Sequence, residues 1–160
     1  RKELLEAVSS GVVDLGAASL DMRAEDRTLV RFGSIYHREP MSAVYRRGQL
    51  RPRRIEDLSE RKVRASTGHQ SNTLPSPTTI DSPLEALRAV EVGETDTALV
   101  MQRHLFAARL VAPALRQGFA PGVEVPVAWA FPRVGDDALY HRAERWLLEH
   151  SRSGRVTDLH

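Results

Sequence analysis

The stretch Leu5-Glu-Ala-Val-Ser-Ser-Gly-Val-Val-Asp-Leu15 returns 82 positions later as Leu87-Arg-Ala-Val-Glu-Val-Gly-Glu-Thr-Asp-Thr97, and both read L-x-A-V-x-x-G-x-x-D. Each copy places apolar residues at helical spacing and then a glycine, the residue that accepts the left-handed turn ending a helix. In the first copy Leu4, Leu5 and Val8 form the apolar stripe, Gly11 stops it, and a strand is predicted over Val12 to Leu20. The second copy is more strongly marked: Ser82 can cap, Pro83 fits the first helical position, and Glu85 completes an S-x-x-E box. Leu84, Leu87 and Val90 make its stripe, Gly93 stops it, and Thr97 to Val100 reads as a buried strand. Two such helix-to-strand steps predict two similar α/β layers.

Working outward, a strand is predicted over Ser42 to Arg46, a basic connector (RRGQLRPRR) follows, then a short helix over Ile55 to Glu60 and a strand over Lys62 to Thr67 ending at Gly68. The next stretch, HQSNTLPSPTT, has loop chemistry. Beyond the second copy, a helix is predicted over His104 to Arg116, and VPVAWAFP reads as a strand entering a core. An amphipathic helix follows from Asp137 to about His150, with Leu139, Ala143, Trp146 and Leu147 inward.

The chain has 160 residues, 41% of them hydrophobic, which is enough for one domain or two small lobes. It has no cysteine, so disulfides, thiolate metal sites and a thiol nucleophile are excluded. No apolar run approaches the roughly 20 residues of a membrane span. Neither a P-loop, a G-x-G-x-x-G loop nor a G-x-S-x-G elbow occurs, and His141 with Glu144 is an i, i+3 pair without a second pair to complete a metal site. No cofactor or metal and no catalytic residue is expected. The run Arg46, Arg47, Arg51, Arg53, Arg54, Arg61, Lys62 and Arg64 is the main charge feature, but only Tyr45 stands beside it, so nucleic acid is not an expected partner. An anionic envelope polymer or membrane surface would use the same charges.

Small hydroxyl and glycine residues at strand ends leave backbone amides open to an anion, and ligands of open α/β sheets sit at the carboxyl ends of strands. On that argument Ser66 to Ser71 and Ala17 to Asp21 are candidate cleft positions.

The ordered set ELLEAVSSGVVDLGAASLDMRAED, VRFGSIYHREPMSAVYRRG, RRIEDLSERKVRASTGHQS, GETDTALVMQ and VPVAWAFP resembles the family 3 extracellular solute-binding proteins. Within that family it is most similar to the solute-binding-like module of the F-type membrane-bound lytic murein transglycosylases, through Trp129 to Pro132 and the ending Gly154 to His160. The resemblance implies a two-lobed periplasmic binding protein-like (type II) α/β fold without the first strand-helix-strand of lobe one. Lobe one would take residues 1–45 and 124–160, and lobe two residues 46–123, with a shortened segment after Gly68. It further implies a periplasmic sensor that closes over a muropeptide-like or other amino-acid-like ligand, associates with the outer membrane or peptidoglycan, and is attached to a C-terminal lysozyme-like domain. This chain by itself would not be an enzyme.

The expected ligand-binding residues are Ser19, Asp21, Arg27, Thr67, Gly68 and Gln102. Two departures bear on the ligand. Asp26 stands where amino-acid binders carry the arginine for the ligand carboxylate, with Arg27 one step later, and Met101 stands where they carry the aspartate for the ligand ammonium. The alternatives are a receptor for an amino-acid or small-peptide ABC transporter, and a degenerate interaction module that has lost its ligand.

Overall fold

A computed structural model describes residues 1–66, 78–79, 82–110, 112–135 and 137–152. The chain divides into two compact units, Arg1–Arg38 with Pro126–His160, and Glu39–Val125. Each unit contains one copy of the repeated stretch.

The first unit opens with helix α1 (Lys2–Ser9), whose Leu5 and Val8 are buried. The helix does not lead straight into a strand at Val12 as predicted. The amides of Val12 and Val13 donate back to the Ala7 carbonyl (2.9 and 3.3 Å), which satisfies the helix end but bends residues 12–15 into a turn. Strand β1 therefore spans Gly16–Asp21, and a 3-10 turn (Glu25–Thr28) and strand β2 (Val30–Phe32) follow.

In the second unit strand β3 (His37–Arg46), which starts in the first unit, is longer than predicted. After it come a 3-10 turn (Ile55–Leu58) in place of a short α-helix, strand β4 (Val63–Ala65) and the two-residue strand β5 (Thr78–Thr79). The rest of the expected loop after Gly68 lies outside the described residues. Helix α2 (Pro83–Val92) is capped as its sequence dictates: the Ser82 hydroxyl accepts from the Glu85 amide (3.4 Å), Pro83 is at the first turn, and Gly93 takes the left-handed conformation at φ 84°. Leu84, expected in the apolar stripe, is 64% exposed, and Ala86 and Ala89 are buried with Leu87 and Val90 instead.

Strand β6 (Thr97–Met101) leads directly into helix α3 (Gln102–Arg109). The helix predicted to reach Arg116 stops here, because Pro113 cannot continue a helix. The chain then forms strand β7 (Leu115–Gln117), where Leu115 is buried and pairs with Arg46 of β3. Strand β8 (Glu124–Pro132) returns the chain to the first unit, and helix α4 (Asp137–Arg152) closes it.

In the first unit β8 pairs antiparallel with both β1 and β2, so that Ala130 lies opposite Gly16 and Phe32. Leu5, Val8, Leu20, Val30 and Ala130 form its core. On α4, Ala143 and Leu147 are buried as predicted, but Trp146 is 40% exposed. Its ring stacks between Trp129 at 5.8 Å and His150 at 4.2 Å, so ring contacts rather than full burial place it.

In the second unit β6 runs antiparallel to β3 and parallel to β4. The period of two then sorts side chains to opposite faces. Ala98 and Val100 pack with Leu87, Val90, Leu105 and Leu115 on one face. Leu99 and Met101 pack with Met41, Leu58, Val63 and Val125 on the other. Gly118 lies where a Cβ would come within 2.7 Å of Pro52 Cγ and 2.9 Å of its carbonyl oxygen, so the basic connector can cross there only over a glycine.

Leu99→Ala is expected to lower unfolding stability by about 2–5 kcal/mol, whereas Leu84→Ala should change it by less than about 0.5 kcal/mol. Urea unfolding followed by circular dichroism checks this, and similar midpoints for the two variants would contradict the assignment of the core.

Candidate functional site

The end of β1 is shaped by a bulge. Its register with β8 shifts between Gly16 and Leu20, and Ser19 sits at φ 48°, the positive-φ non-glycine position among the described residues. A left-handed serine costs about 1 kcal/mol, and the gain is orientation: consecutive residues Leu20 and Asp21 both become buried.

Burying Asp21 requires partners, and Arg1 and Arg23 provide them. Arg23 Nε donates to Asp21 Oδ2 at 2.7 Å, and Arg1 Nε donates to Oδ1 at 2.9 Å. Arg1 Nη2 also donates to the Asp21 carbonyl (2.8 Å) and makes a short contact with the Asp26 carboxylate. Burial alone would raise the Asp21 pKa, but the hydrogen bond from Arg23 and the charges of Arg1 and Arg23 outweigh it and hold the carboxyl below its ordinary value. Burial likewise opposes the charge on Arg1, and the bonds and charges of Asp26 and Asp21 raise its pKa in spite of it.

The expected site residues of this unit thus differ in kind. Ser19 forms the bulge, Asp21 is the centre of a closed ion network, and Arg27 is exposed on the turn after it, with a side chain that makes no ion pair among the described residues. The turn itself is fixed from outside, because Arg133 Nη1 donates to the Arg27 carbonyl at 2.9 Å. Asp26, which the resemblance puts at the clamp position, is buried against Arg1. Of the expected site residues in this unit, the one with an open charge for an anion is therefore Arg27.

In the second unit Gln102 is the first residue of α3, directly after β6, and is half-buried. The residue before the helix, Met101, has no side chain able to cap it. Glu39, buried on β3, takes that role: its Oε1 accepts from the Arg103 amide at 3.1 Å, and its Oε2 lies 3.6 Å from Arg103 Nη1. A carboxylate at a helix N-terminus satisfies an otherwise orphaned amide and complements the helix dipole. The anion position of α3 is accordingly filled by the protein's own side chain. Ser66 directly follows β4, buried, with its amide donating to the Leu99 carbonyl at 3.0 Å. Thr67 and Gly68 lie outside the described residues. Among the described residues no three His, Asp or Glu side chains converge as a metal site.

Sequence reasoning missed the roles of Arg1, Arg23 and Glu39. The alternation Asp21-Met22-Arg23 was the available signal for one ion pair, since residues two apart on an extended chain share a side. Glu39 had no local signal, because its partner is 64 positions away.

Asp21 is depressed in the folded state, so its contribution to stability is complete above the ordinary carboxylate range and is lost as pH falls below about 4. Asp21→Asn should cost about 3 kcal/mol at neutral pH by leaving two arginines without their carboxylate. It should also flatten the loss of stability between neutral and acid pH. Urea unfolding at both pH values checks this, and an unaltered acid slope in the variant would overturn it.

No protein-family model matches the sequence. The chain is 32% identical over 149 residues to membrane-bound lytic murein transglycosylase F of Aeromonas hydrophila, covering 86% of this chain and 30% of the relative. That of Alcanivorax borkumensis is 24% identical over 165 residues, covering 96% of this chain and 35% of the relative. The chain thus spans about a third of the length of the curated relatives it matches. Among solved structures, the substrate-binding protein of an amino acid ABC transporter superposes with a TM-score of 0.74 at 18% identity, over 99% of this chain and 74% of that one. The chain is homologous to the solute-binding-like part of membrane-bound lytic murein transglycosylase F and has the mixed α/β fold of the family 3 solute-binding proteins.

Proposed function

We propose that the chain is the periplasmic sensor module of a lytic murein transglycosylase, and that it binds cell-wall peptide of the muropeptide kind. The observation that carries this reading is the altered charge pattern at the strand ends. A free amino acid held in the manner of the amino-acid binders needs a cation for its carboxylate and an anion for its ammonium. Here the first position is Asp26, already engaged by Arg1, and the second is Met101, 2% exposed. An unpartnered ligand charge would cost several kcal/mol of binding, on the order of the penalty for breaking a buried ion pair. A peptide fragment has its termini farther apart and its middle made of amides, which neutral groups such as Ser19 and Gln102 can meet. Arg27 supplies an open cation for one of its carboxylates. We place the glycan-cleaving activity of the relatives' name in the remainder of those proteins, and propose that ligand-driven closure of the lobes is what the attached catalytic part senses.

A degenerate interaction module is the second reading. The features in its favour are the charges already satisfied within the chain, Asp21 and Asp26 by Arg1 and the α3 N-terminus by Glu39.

Calorimetry of the purified chain separates these readings. Muropeptides are expected to give binding heat and a raised melting temperature, and free arginine or glutamine neither. Arg27→Ala should weaken muropeptide binding by about tenfold, the worth of a charge-assisted hydrogen bond, without moving the melting temperature of the free protein. Absence of heat with every cell-wall peptide would leave the interaction module, and tight binding of a free amino acid would favour the transport receptor.

A further inference from the structure

The turn after α1 and the first turns of α4 border a cavity of about 450 Å³, lined entirely by residues of the first unit. Small-molecule sites span roughly 300–1,000 Å³. The cavity lies away from the Asp21 network. Val127 of β8 pairs with Asp21, whereas Phe131 and Pro132, which line the cavity, are about 13–17 Å further along the strand. Helix α1 gives the same separation: Arg1, at its start, holds Asp21, and Gly11, beyond its end, lines the cavity.

One guanidinium group of the lining is fixed with donors to spare. Arg31 lies over the Tyr140 ring, its Cζ 3.4 Å from the centroid, and its Nη1 donates to Asp137 Oδ1 at 2.8 Å. Phe131 meets the same ring edge-on at 5.1 Å. Stack and ion pair together hold the plane of Arg31, while its Nε and Nη2 make no hydrogen bond among the described residues. Two further charges are open. Asp14, in the turn, and Arg142, on α4, are exposed and make no side-chain hydrogen bond or ion pair among the described residues.

Among the described residues the lining therefore carries two carboxylates and two guanidinium groups. A ligand of one sign would meet as much repulsion as attraction there. A ligand with both signs, set apart, can meet Asp14 with one end and Arg31 and Arg142 with the other. Between the charges, Phe131 and the half-buried Leu139 offer apolar surface.

We propose that this cavity is a second binding site, for a short zwitterionic peptide with free termini and an apolar side chain. The ammonium is placed at Asp14, the carboxylate at Arg31 and Arg142, and the side chain against Phe131 and Leu139. Guanidinium groups take a carboxylate through paired N–H donors, and Arg31 is already ordered for it. The cavity exceeds what one amino acid fills, and each added residue of extended chain parts the end charges by roughly 3.3–3.6 Å. Free arginine would set another cation beside Arg31, and free glutamine would set an amide against Phe131, so neither is the expected occupant.

The test uses the whole 160-residue chain and the dipeptide alanyl-leucine, together with its N-acetylated and C-amidated forms. In amide NMR spectra the dipeptide is expected to shift the signals of Asp14, Arg31 and Leu139 and to leave those of Ser19 and Gln102 in place. By calorimetry, acetylation and amidation should each weaken binding about tenfold, the worth of a charge-assisted hydrogen bond. D14N should also weaken binding about tenfold, and should no longer distinguish the free from the acetylated dipeptide. R142Q should weaken it about threefold, as befits an exposed ion pair, and R145Q, the same change elsewhere on α4, should leave it unaltered. These three side chains are exposed, and unchanged melting temperatures verify that the variants fold. No shift with millimolar dipeptide, shifts centred on Ser19 and Gln102, or undiminished discrimination against the acetylated form in D14N would each overturn the proposal. The muropeptide reading rests on Arg27 and a different ligand, so failure at this cavity would leave it standing.

Discussion

Strand β6 has no face to spare. All five of its residues are buried, with Leu99 and Met101 packed on one side of the strand and Ala98 and Val100 on the other. A short strand covered on both faces is largely apolar, here in every residue after Thr97, and its neighbours must bring matching apolar surface from both directions. From this follow the buried stripe of α2, the burial of Leu105 and Ala108 on α3, and the alternation of Met41, Ala43 and Val44 on β3. It also fixes where polar chemistry in that unit can occur: at the strand's end, where α3 begins.

Both strand ends that the fold offers for chemistry have been resolved electrostatically from within. At β1 two carboxylates and two guanidinium groups close on one another, and at α3 a carboxylate from another strand takes the helix N-terminus. Such closure raises the cost of bringing in a simple charged ligand, which must displace an internal partner before it gains anything. It costs a polar, extended ligand much less.

Local features of the fold were legible in the sequence where one side chain decides the backbone. Ser82, Pro83, Glu85 and Gly93 define α2 without reference to the rest of the chain, and the apolar run from Val125 to Phe131 identifies β8. Reading failed where a distant partner decides. A helix is expected as far as Arg116, but Pro113 cannot continue one, and Leu115–Gln117 pair with β3 as a strand instead. Val12 and Val13 favour extended structure by composition, and the Ala7 carbonyl bends them instead. For the candidate site, position was easier to foresee than state: Asp21 lies at the end of β1, but nothing adjacent in sequence announces that Arg1 holds it.

Glu39 is the first residue of the second unit, next to the point at which the chain passes out of the first. Its carboxylate is also the cap of α3, one residue from Gln102. The residue that opens the second unit is thus fixed to the start of one of its helices, and a change of side chain there would reach a backbone amide 64 positions further along the chain.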